Sequence, residues 1–392
     1  MSAHEMTNQR IYLDNAATTY PKPRTVLDRM MDRYHRMGVS PGRASHDLAA
    51  EAEQYLGSVR KKVAAFFGAA DPERVVFASN ATDALNAAIQ GILKPGDHAV
   101  ATRLEHNSVL RPLHHLKRAL GIEHTLVGFD QNGIVSPDAV RAAIRSTTRL
   151  VIVNHASNVL GTIQPIAEIG KVCAEMGVPL LVDTAQSAGY VSFSMVDCNV
   201  SAVAFTGHKA LLGPSGIGGL VVARDLEIAT TRFGGTGVDS RNLTHTQDYP
   251  YRLEAGTHNM LGIMGLSEGL DYLEHEGMGN IYRRELALTL RLRAGLGALE
   301  NVTLYTPRAC DRLVPIVTCG VRGIHPDDVG AILDGDYGIA VRTGLHCAPL
   351  VHADLGTSAQ GAVRFSLGCN NTEADVNLAL EAMAEISRKA RR

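Results

Sequence analysis

A lysine and an aspartate lie at the ends of two apolar segments that have the length expected for buried strands. Lys209 follows the stretch SAVAFTGH, and Asp183 ends the stretch PLLVD. A loop lysine can be a solvated cation, and a strand-end aspartate often forms a turn or caps a helix. The pair also has a chemical interpretation, because an amine can form a Schiff base and a carboxylate can keep a nearby ring nitrogen protonated.

Polar residues follow five successive apolar segments of this part of the chain. Taken one at a time, each has an adequate structural explanation, but that explanation must account for polar groups at five strand ends together. Ligands of open α/β sheets bind beyond the carboxyl ends of the strands. The polar strand ends are Asn80 to Thr82, Glu105 to Asn107, Asn154 to Asn158, Asp183 to Gln186 and Thr206 to Lys209. The set therefore favours a ligand site.

Pyridoxal phosphate is a cofactor that needs this combination of side chains. Lys209 supplies the amine for a Schiff base, and Asp183 supplies the carboxylate beside the pyridine nitrogen. A phosphate binds well at a helix N-terminus with hydroxyl donors, which SNATDALNAAIQ offers around Thr82. His106 is a planar group that could stack on the cofactor ring, and Gln186 could reach the ring's phenolic oxygen.

The elements that must position these residues form two regions. Between residues 75 and 223, short Val- and Ile-rich segments alternate with helical patterns, which predicts an α/β fold with a mostly parallel seven-stranded sheet covered on both faces. From about 258, two long helical segments precede short strands and a helical tail, which indicates a smaller α+β domain. We expect residues 20–257 to form the large domain, and 1–19 with 258–392 to form the small domain.

Composition excludes several classes of function. The chain has 392 residues, 45% hydrophobic and 20% charged, with a net charge of −2. This balance predicts no nucleic-acid partner, and the absence of a long apolar segment predicts no membrane anchoring. The six cysteines form no CxxC pair, which argues against a disulfide framework and against a metal site. Free thiols and the lack of an apolar leader predict a cytoplasmic protein.

Motifs along nearly the whole chain carry a family resemblance. They include DNAATT at 14–19, GHKALLGP at 207–214 and RTGLHC at 342–347. With these motifs the chain resembles the class V aminotransferase-like enzymes of pyridoxal phosphate fold type I, and within them the cysteine desulfurases and selenocysteine lyases. RTGLHC is the most specific motif, since it puts a cysteine where desulfurases carry their nucleophile.

The resemblance implies a role for each matching residue. Lys209 would bind the cofactor and move the substrate's α-proton, Asp183 would pair with the pyridine nitrogen, Gln186 with the ring oxygen, and His106 would stack on the ring. Cys347 would attack sulfur. The other implied cofactor-binding residues are Ala81, Thr82, Asn158, Thr206, His208 and, from a partner subunit, Thr257. The implied substrate-binding residues are Arg364, with Arg342 as a second candidate, Asn158, Ala16 and Ala17.

The implied reaction converts L-cysteine to L-alanine and leaves the sulfur as a persulfide on Cys347. His346 and Arg342 lie close enough in sequence to favour the thiolate. The resemblance also implies a homodimer, and the 13 residues between Cys347 and Gly361 suggest a restrained thiol that depends on a sulfur-acceptor protein. The segment GVSPGRASHDLA matches the family loosely, so Arg43 and His46 are weaker site candidates.

Three other functions remain open from the sequence. A selenocysteine lyase would have the same cofactor and nearly the same fold. A class V aminotransferase or epimerase would act on a larger amino acid, and Cys347 would then be incidental. A scaffold without catalytic activity would only bind a sulfur-transfer partner.

Overall fold

The computed structural model describes residues 10–42, 46–238, 240–310 and 312–389. The strands are β1 (Ile11–Tyr12), β2 (Val75–Ala78), β3 (His98–Thr102), β4 (Glu123–Val127), β5 (Thr148–Asn154), β6 (Leu180–Asp183), β7 (Ala202–Thr206), β8 (Gly218–Val222), β9 (Val302–Leu304), β10 (Ile316–Val321), β11 (Ile339–Ala340), β12 (Arg342–Gly344) and β13 (Ala362–Ser366). The helices are α1 (Arg24–Met37), α2 (Asp47–Phe66), α3 (Ala81–Ile92), α4 (Asn107–Leu120), α5 (Pro137–Ala143), α6 (Ile166–Met176), α7 (Met260–Glu276), α8 (Met278–Ala298), α9 (Pro326–Tyr337), α10 (Pro349–Asp354) and α11 (Glu373–Lys389).

The largest sheet of the described residues has seven strands in the order β2-β8-β7-β6-β5-β3-β4. Strand β8 runs antiparallel to β2 and β7, and the other neighbours are parallel. Along β5, Leu150 and Ile152 contribute to one core while Val151 and Val153 contribute to the other. Alternate side chains point to opposite faces of a strand, so both faces of the sheet are covered. The predicted α/β fold with a mostly parallel seven-stranded sheet is confirmed.

The parallel strands bring their polar ends to one edge of this sheet. In the β5–β6 register Asn154 is opposite Asp183, and in the β6–β7 register Asp183 is opposite Ala204. Two helices begin at the same edge. Asn80 caps α3 by accepting a hydrogen bond from the backbone N–H of Asp83 at 3.0 Å, and His106 caps α4. Helix N-termini and strand ends therefore converge on one place.

A second sheet has four antiparallel strands in the order β12-β13-β10-β9. It packs with α8, α9 and α11 around a separate core that contains Val317, Phe365 and Met383. The N-terminal strand β1 pairs in parallel with β11 next to this sheet. Helix α7 packs Met264 and Leu266 into the core of the large sheet. The domain boundary at residue 258 stays a prediction. Within the described residues, no helix is both long and apolar enough to cross a bilayer.

Candidate active site

A cavity of about 520 Å³ lies at the carboxyl edge of the parallel strands. The residues that line it are Asn80, Ala81, Thr82, His106, Ser108, Asn154, Ala156, Asn158, Asp183, Ala185, Gln186, Thr206, His208 and Lys209. All cofactor-binding residues expected from the sequence, apart from Thr257, are among them. The structure thus brings together side chains that are up to 129 positions apart in the chain, from Asn80 to Lys209.

Lys209 follows β7 in a tight turn. Its backbone carbonyl accepts a hydrogen bond from the Leu212 N–H at 2.8 Å, and Leu212 has a left-handed φ of 62°. Burial lowers the pKa of the Lys209 amine to about 8, and the charge of Asp183 opposes this shift. An amine with this pKa is neutral in a sizeable fraction of molecules near pH 7.5. It can therefore act both as a nucleophile and as a base.

The carbonyl group before Lys209 is held by the N-terminal segment. His208 O accepts hydrogen bonds from Thr18 Oγ1 at 3.0 Å, from the Thr19 N–H at 3.1 Å and from Lys22 Nζ at 3.0 Å. Burial lowers the pKa of Lys22 to about 8. These contacts explain why the motif DNAATT and the residues after it belong to the site, although none of the three donors lines the cavity.

Asp183 is the last residue of β6 and is buried at the cavity wall. Its Oδ1 accepts a hydrogen bond from the Ala185 N–H at 2.9 Å. Burial raises the pKa of Asp183, while the Ala185 N–H and the Lys209 charge lower it. A buried carboxyl group next to a cavity is suited to pairing with a protonated nitrogen of a ligand.

Unsatisfied polar atoms mark the part of the cavity that would hold a phosphate. Thr206 Oγ1 and His208 Nδ1 are buried and have no hydrogen-bond partner in the structure. Thr82 lies in the first turn of α3, where free backbone N–H groups favour an anion. Gly218 of β8 lets this helix start approach closely, since a Cβ there would lie 2.7 Å from Asn80 Cα. These groups fit the phosphate of pyridoxal phosphate.

Ser108 is a cavity residue that the sequence analysis missed. Its Oγ lies 2.7 Å from Thr82 Oγ1 and 2.8 Å from His106 Nδ1, so it links the starts of α3 and α4. Burial and the Lys209 charge lower the pKa of His106 to about 4, which leaves a neutral ring at pH 7. In the sequence, the feature that could have identified Ser108 is its position: a hydroxyl residue two positions after His106, the residue that caps α4.

Gln186 and Asn158 connect the cavity to its surroundings. Gln186 Nε2 donates to Ala16 O at 3.0 Å, so the amide that was expected to reach a ring oxygen has a backbone partner here. A smaller space of about 250 Å³ beside Gln186 and Lys209 is lined by Ala16. Ala17 lines neither space. Asn158 Nδ2 donates to His346 O at 2.6 Å, and its Oδ1 is buried without a partner in the structure.

The two arginines expected to bind a substrate carboxylate are neighbours in the second sheet. Arg342 on β12 and Arg364 on β13 are directly opposite in the antiparallel register. Arg364 is 1% exposed, forms an ion pair with Asp14 at 2.9 Å and donates to Asn158 O at 3.0 Å. Its Nε is buried without a partner in the structure. Neither arginine lines the 520 Å³ cavity, but the charge of Arg364 affects the pKa of both Lys209 and His106.

Cys347 lies in a short connection between β12 and α10. Hydrogen bonds join the backbone of this connection to residues at the rim of the cavity. The Cys347 carbonyl accepts a hydrogen bond from the Asn107 N–H at 2.7 Å, and Asn158 holds the carbonyl of His346. His346 and Cys347 both have left-handed φ values, 50° and 57°, which are uncommon for residues with a side chain. Arg342 Nη2 lies 3.9 Å from Cys347 Sγ. The thiol is thus half-buried beside a cation at the edge of the site.

The other cysteines have different surroundings. All six are free, and Cys173, Cys310 and Cys319 are buried. Burial raises the pKa of Cys319 to about 12 and that of Cys369 to about 11. Such thiols carry almost no thiolate at neutral pH, so they are poor nucleophiles. The chemical role expected for Cys347 stays a prediction.

A buried chain of polar side chains lies behind Cys347. His346 Nε2 is 3.4 Å from Arg342 O, His346 Nδ1 is 3.3 Å from His352 Nε2, and His352 Nδ1 is 2.8 Å from Thr357 Oγ1. Burial lowers the pKa of His346 to about 2 and that of His352 to about 4. Both rings are neutral at pH 7, so the positive charge recorded beside Cys347 Sγ is that of Arg342, at 3.9 Å.

The remaining candidates lie away from the cavity. Thr257 is exposed and lines a separate cleft with Asp83 and Arg232. Its expected role in the site of a second subunit stays a prediction. His46 caps α2 through its Nδ1, which accepts from the Ala49 N–H at 3.2 Å, and it does not line the cavity. Arg43 lies outside the described residues.

Comparison with known proteins places the chain in a family. Residues 11–378 match the family described as Aminotransferase class-V, and the chain belongs to this family. A probable cysteine desulfurase of Methanothermobacter thermautotrophicus is 33% identical over 97% of this chain and 96% of its own length. A cysteine desulfurase of Haloferax volcanii is 32% identical over 96% of this chain and 89% of its own length.

Solved structures show the same relationship. The apo structure of a cysteine desulfurase from Thermococcus onnurineus NA1 matches with a TM-score of 0.90 and 36% identity, covering 97% of this chain and 96% of that one. The cysteine desulfurase CsdA from Escherichia coli matches with a TM-score of 0.86 and 26% identity, covering 97% and 95%. The family resemblance drawn from the motifs is therefore confirmed.

Proposed function

We propose that this protein is a pyridoxal phosphate-dependent cysteine desulfurase, which converts L-cysteine to L-alanine and takes the sulfur onto Cys347. The observation that carries the proposal is the position of the Cys347 thiol. It lies 3.9 Å from the guanidinium of Arg342, and its backbone is fastened to residues at the rim of the cavity that contains Lys209. An incidental cysteine needs neither the cation nor the anchoring.

Several side chains of the cavity are suited to holding the cofactor. Lys209 would attach it, Asp183 would face the pyridine nitrogen, and His106 would lie against the ring. Thr206 Oγ1 and His208 Nδ1 lack partners in the structure and, with Thr82, would donate hydrogen bonds to the phosphate. When bound, the cofactor supplies an electron sink that stabilises negative charge on the substrate's carbon atoms.

The chain's own groups would divide the remaining work. Lys209 Nζ, with its pKa near 8, would accept the proton from the α-carbon of cysteine and return a proton to carbon. Arg364, with Arg342 as the second candidate, would bind the substrate carboxylate, since a guanidinium group can make two parallel hydrogen bonds to a carboxylate. Asn158, whose Oδ1 is unpaired, would accept a hydrogen bond from the substrate or cofactor.

Sulfur transfer would form one sulfur–sulfur bond and one carbon–hydrogen bond. The Cys347 thiolate attacks the substrate sulfur, and the bond between that sulfur and the β-carbon breaks. The electron pair of the broken bond stays on carbon, which takes up a proton to become the methyl group of alanine. Cys347 then carries a persulfide. Carbon gains the electrons that sulfur loses, so the step requires no external oxidant or reductant.

The decisive experiment is mass spectrometry of the holoenzyme after a single addition of L-cysteine, together with an alanine assay. We expect one added sulfur atom on the peptide that contains Cys347, and one alanine released per persulfide formed. Cys347→Ala should lose sulfur transfer by at least about a hundredfold, because the Cys347 thiol is partly exposed and lies 3.9 Å from a guanidinium group. Cys369 is also partly exposed and near Arg284, but burial raises its pKa to about 11. Cys198→Ala is the matched control and should retain activity.

The outcomes also separate the alternatives raised by the sequence. An aminotransferase or epimerase would keep its half-reaction in Cys347→Ala, and a scaffold would release no alanine. A selenocysteine lyase would show a much higher kcat/KM for selenocysteine than for cysteine. Any of these results would overturn the proposal.

Assembly and cellular setting follow from the same proposal. We infer a homodimer in which the exposed Thr257 of each subunit completes the phosphate site of the other. We also infer a sulfur-acceptor protein, because a persulfide on Cys347 must be removed before the next turnover. The six free cysteines suit the reducing environment of the cytoplasm.

A further inference from the structure

A groove beside the Cys347 connection combines positive charge with an apolar floor. It lies between α4, the edge strand β4 and the start of α10, it has a volume of about 1230 Å³ that includes space open to solvent, and we call it the α4 groove. Its basic lining consists of two arginines, Arg111 and Arg118, and its imidazole groups are those of His114, His115 and His124. Its apolar lining includes Leu110, Leu126, Pro349 and Leu350.

Two of the elements that line the α4 groove, α4 and the start of α10, also contact or follow the Cys347 connection. Pro349 and Leu350 form one wall and follow Cys347 by two and three residues. Two residues span at most about 7 Å, so the wall begins within that distance of the cysteine backbone. The other wall is α4, whose first residue, Asn107, donates its backbone N–H to Cys347 O at 2.7 Å. A molecule seated in the groove therefore lies next to the thiol's segment.

The charged residues of α4 are all basic. Its 14 residues, NSVLRPLHHLKRAL, contain two arginines, a lysine and two histidines but no aspartate or glutamate. Cations in the last turn, Lys117 and Arg118, complement the helix dipole. The dipole does not explain Arg111, which lies near the N-terminal end. A chain with a net charge of −2 thus presents a local basic surface next to its reactive cysteine.

Nearby carboxylates are already paired with other residues. Asp354 of α10 forms an ion pair with Arg103 at 2.6 Å, and Glu123 of β4 forms one with Arg145 at 2.8 Å. Among the described ion pairs, none involves Arg111 or Arg118. These two guanidinium groups are therefore available to an anionic partner.

We propose that the α4 groove binds the protein that accepts sulfur from Cys347, through an acidic and partly apolar segment next to the acceptor's own thiol. The inference rests on the proposed function. The acceptor thiolate attacks the outer sulfur of the Cys347 persulfide, and the sulfur–sulfur bond breaks. Its electron pair returns to the Cys347 sulfur, and the acceptor leaves with the persulfide. Charge complementarity speeds such encounters and fixes their orientation.

The test uses a fluorescent acidic peptide with leucine anchors and a serine in place of cysteine, measured by anisotropy with the holoenzyme. Arg111→Gln with Arg118→Gln should weaken binding about tenfold and reduce its salt dependence, because two cations are lost from the contact. The matched control is Lys171→Gln with Arg322→Gln, two exposed cations on other elements, which should bind as the wild type does. Leu350→Ser should weaken binding without changing its salt dependence.

A second readout uses the same peptide with its cysteine restored, monitored by peptide persulfide and alanine. The groove variant should lose about tenfold in kcat/KM for this peptide while alanine formation with dithiothreitol stays within about twofold of the wild type. Equal binding by wild type and groove variant overturns the proposal, as does equal loss in the control variant. Tighter binding of a single-stranded RNA of equal charge also overturns it. If the wild type forms no alanine with dithiothreitol, the desulfurase function is refuted instead. The anisotropy measurement then still shows whether the acidic peptide binds in the α4 groove.

Discussion

Glu105 is a buried carboxyl group that the proposed reaction does not use. Its Oε1 accepts hydrogen bonds from Thr102 Oγ1 at 2.7 Å and from the Asn154 N–H at 3.0 Å, whereas Oε2 is buried without a partner in the structure. Burial raises the pKa of Glu105 to about 8, and the negative charge of Asp183 acts in the same direction. The group is therefore a neutral acid at pH 7, and it adds no second negative charge beside Asp183.

Substitution of Glu105 by glutamine should change the pH dependence of stability. The unfolded carboxyl group ionises near 4.5 and the folded one near 8, so the folded state binds more protons between these values and its stability falls as pH rises. Glu105→Gln removes this loss. We expect a stability close to that of the wild type at pH 4.5 and a gain of about 3 kcal/mol at pH 7.

Urea unfolding at several pH values measures this effect. The exposed substitution Glu51→Gln serves as the control and should follow the wild type at every pH. A difference between Glu105→Gln and wild type that does not vary with pH would show that Glu105 is ionised in the folded state.

The connection from β12 to β13 is the element that carries the thiol. The carbonyl of Arg342 can only accept, so His346 Nε2 must donate to it, and His346 Nδ1 must then accept from His352 Nε2. His352 Nδ1 in turn accepts from the Thr357 hydroxyl. This chain of hydrogen bonds links the start of the connection, at Arg342, to Thr357. It offsets part of the backbone strain at His346 and Cys347, which have left-handed φ values.

Thr357→Val tests this chain, since it removes the terminal hydroxyl with little change in shape. His352 Nδ1 would lose its donor, and we expect the free energy of unfolding to fall by about 2 kcal/mol. Alkylation of Cys347 by iodoacetamide should also change in rate, because the thiol is no longer held beside Arg342. Thr357→Ser keeps the hydroxyl and should restore both quantities. Identical behaviour of the valine and serine variants would rule out the chain.

Sequence reasoning located most of the cavity because strand ends can be read from local patterns. Parallel strands of similar length must end at one edge, so Asp183 and Lys209 were placed together by their positions alone. Local patterns do not report contacts between distant segments. The link from Ser108 to Thr82, the hydrogen bond from Asn107 to Cys347 and the histidine chain depend on tertiary packing, and they were found only in the structure.

At the scale of the whole molecule, one ion pair of a buried arginine and a half-buried aspartate joins three parts of the chain. Arg364 on β13 is paired with Asp14 from the N-terminal segment and donates to Asn158 beside the large sheet. Burial lowers the pKa of Arg364, and Asp14 opposes the shift. A guanidinium group stays protonated in proteins, so the folded state must accommodate the buried charge of Arg364. The negative charge of Asp14 offsets the cost of burying it.

Asp14→Asn should therefore destabilise the protein by about 3 kcal/mol, since it leaves a buried cation without its counter-charge. Thermal and urea unfolding measure the change. The control is Asp28→Asn, which removes an exposed pair with Arg24 and should cost less than about 0.5 kcal/mol. A small effect of Asp14→Asn, similar to that of the control, would mean that solvent or another group neutralises Arg364.

The three hydrogen bonds on His208 O have a consequence for biosynthesis. Thr18, Thr19 and Lys22 are translated early, whereas the turn that they hold is made almost two hundred residues later. Until residue 208 has been synthesised, the N-terminal segment has no partner for these three donors. The contacts that hold the carbonyl before the reactive lysine can therefore form only after about half of the 392 residues have been translated.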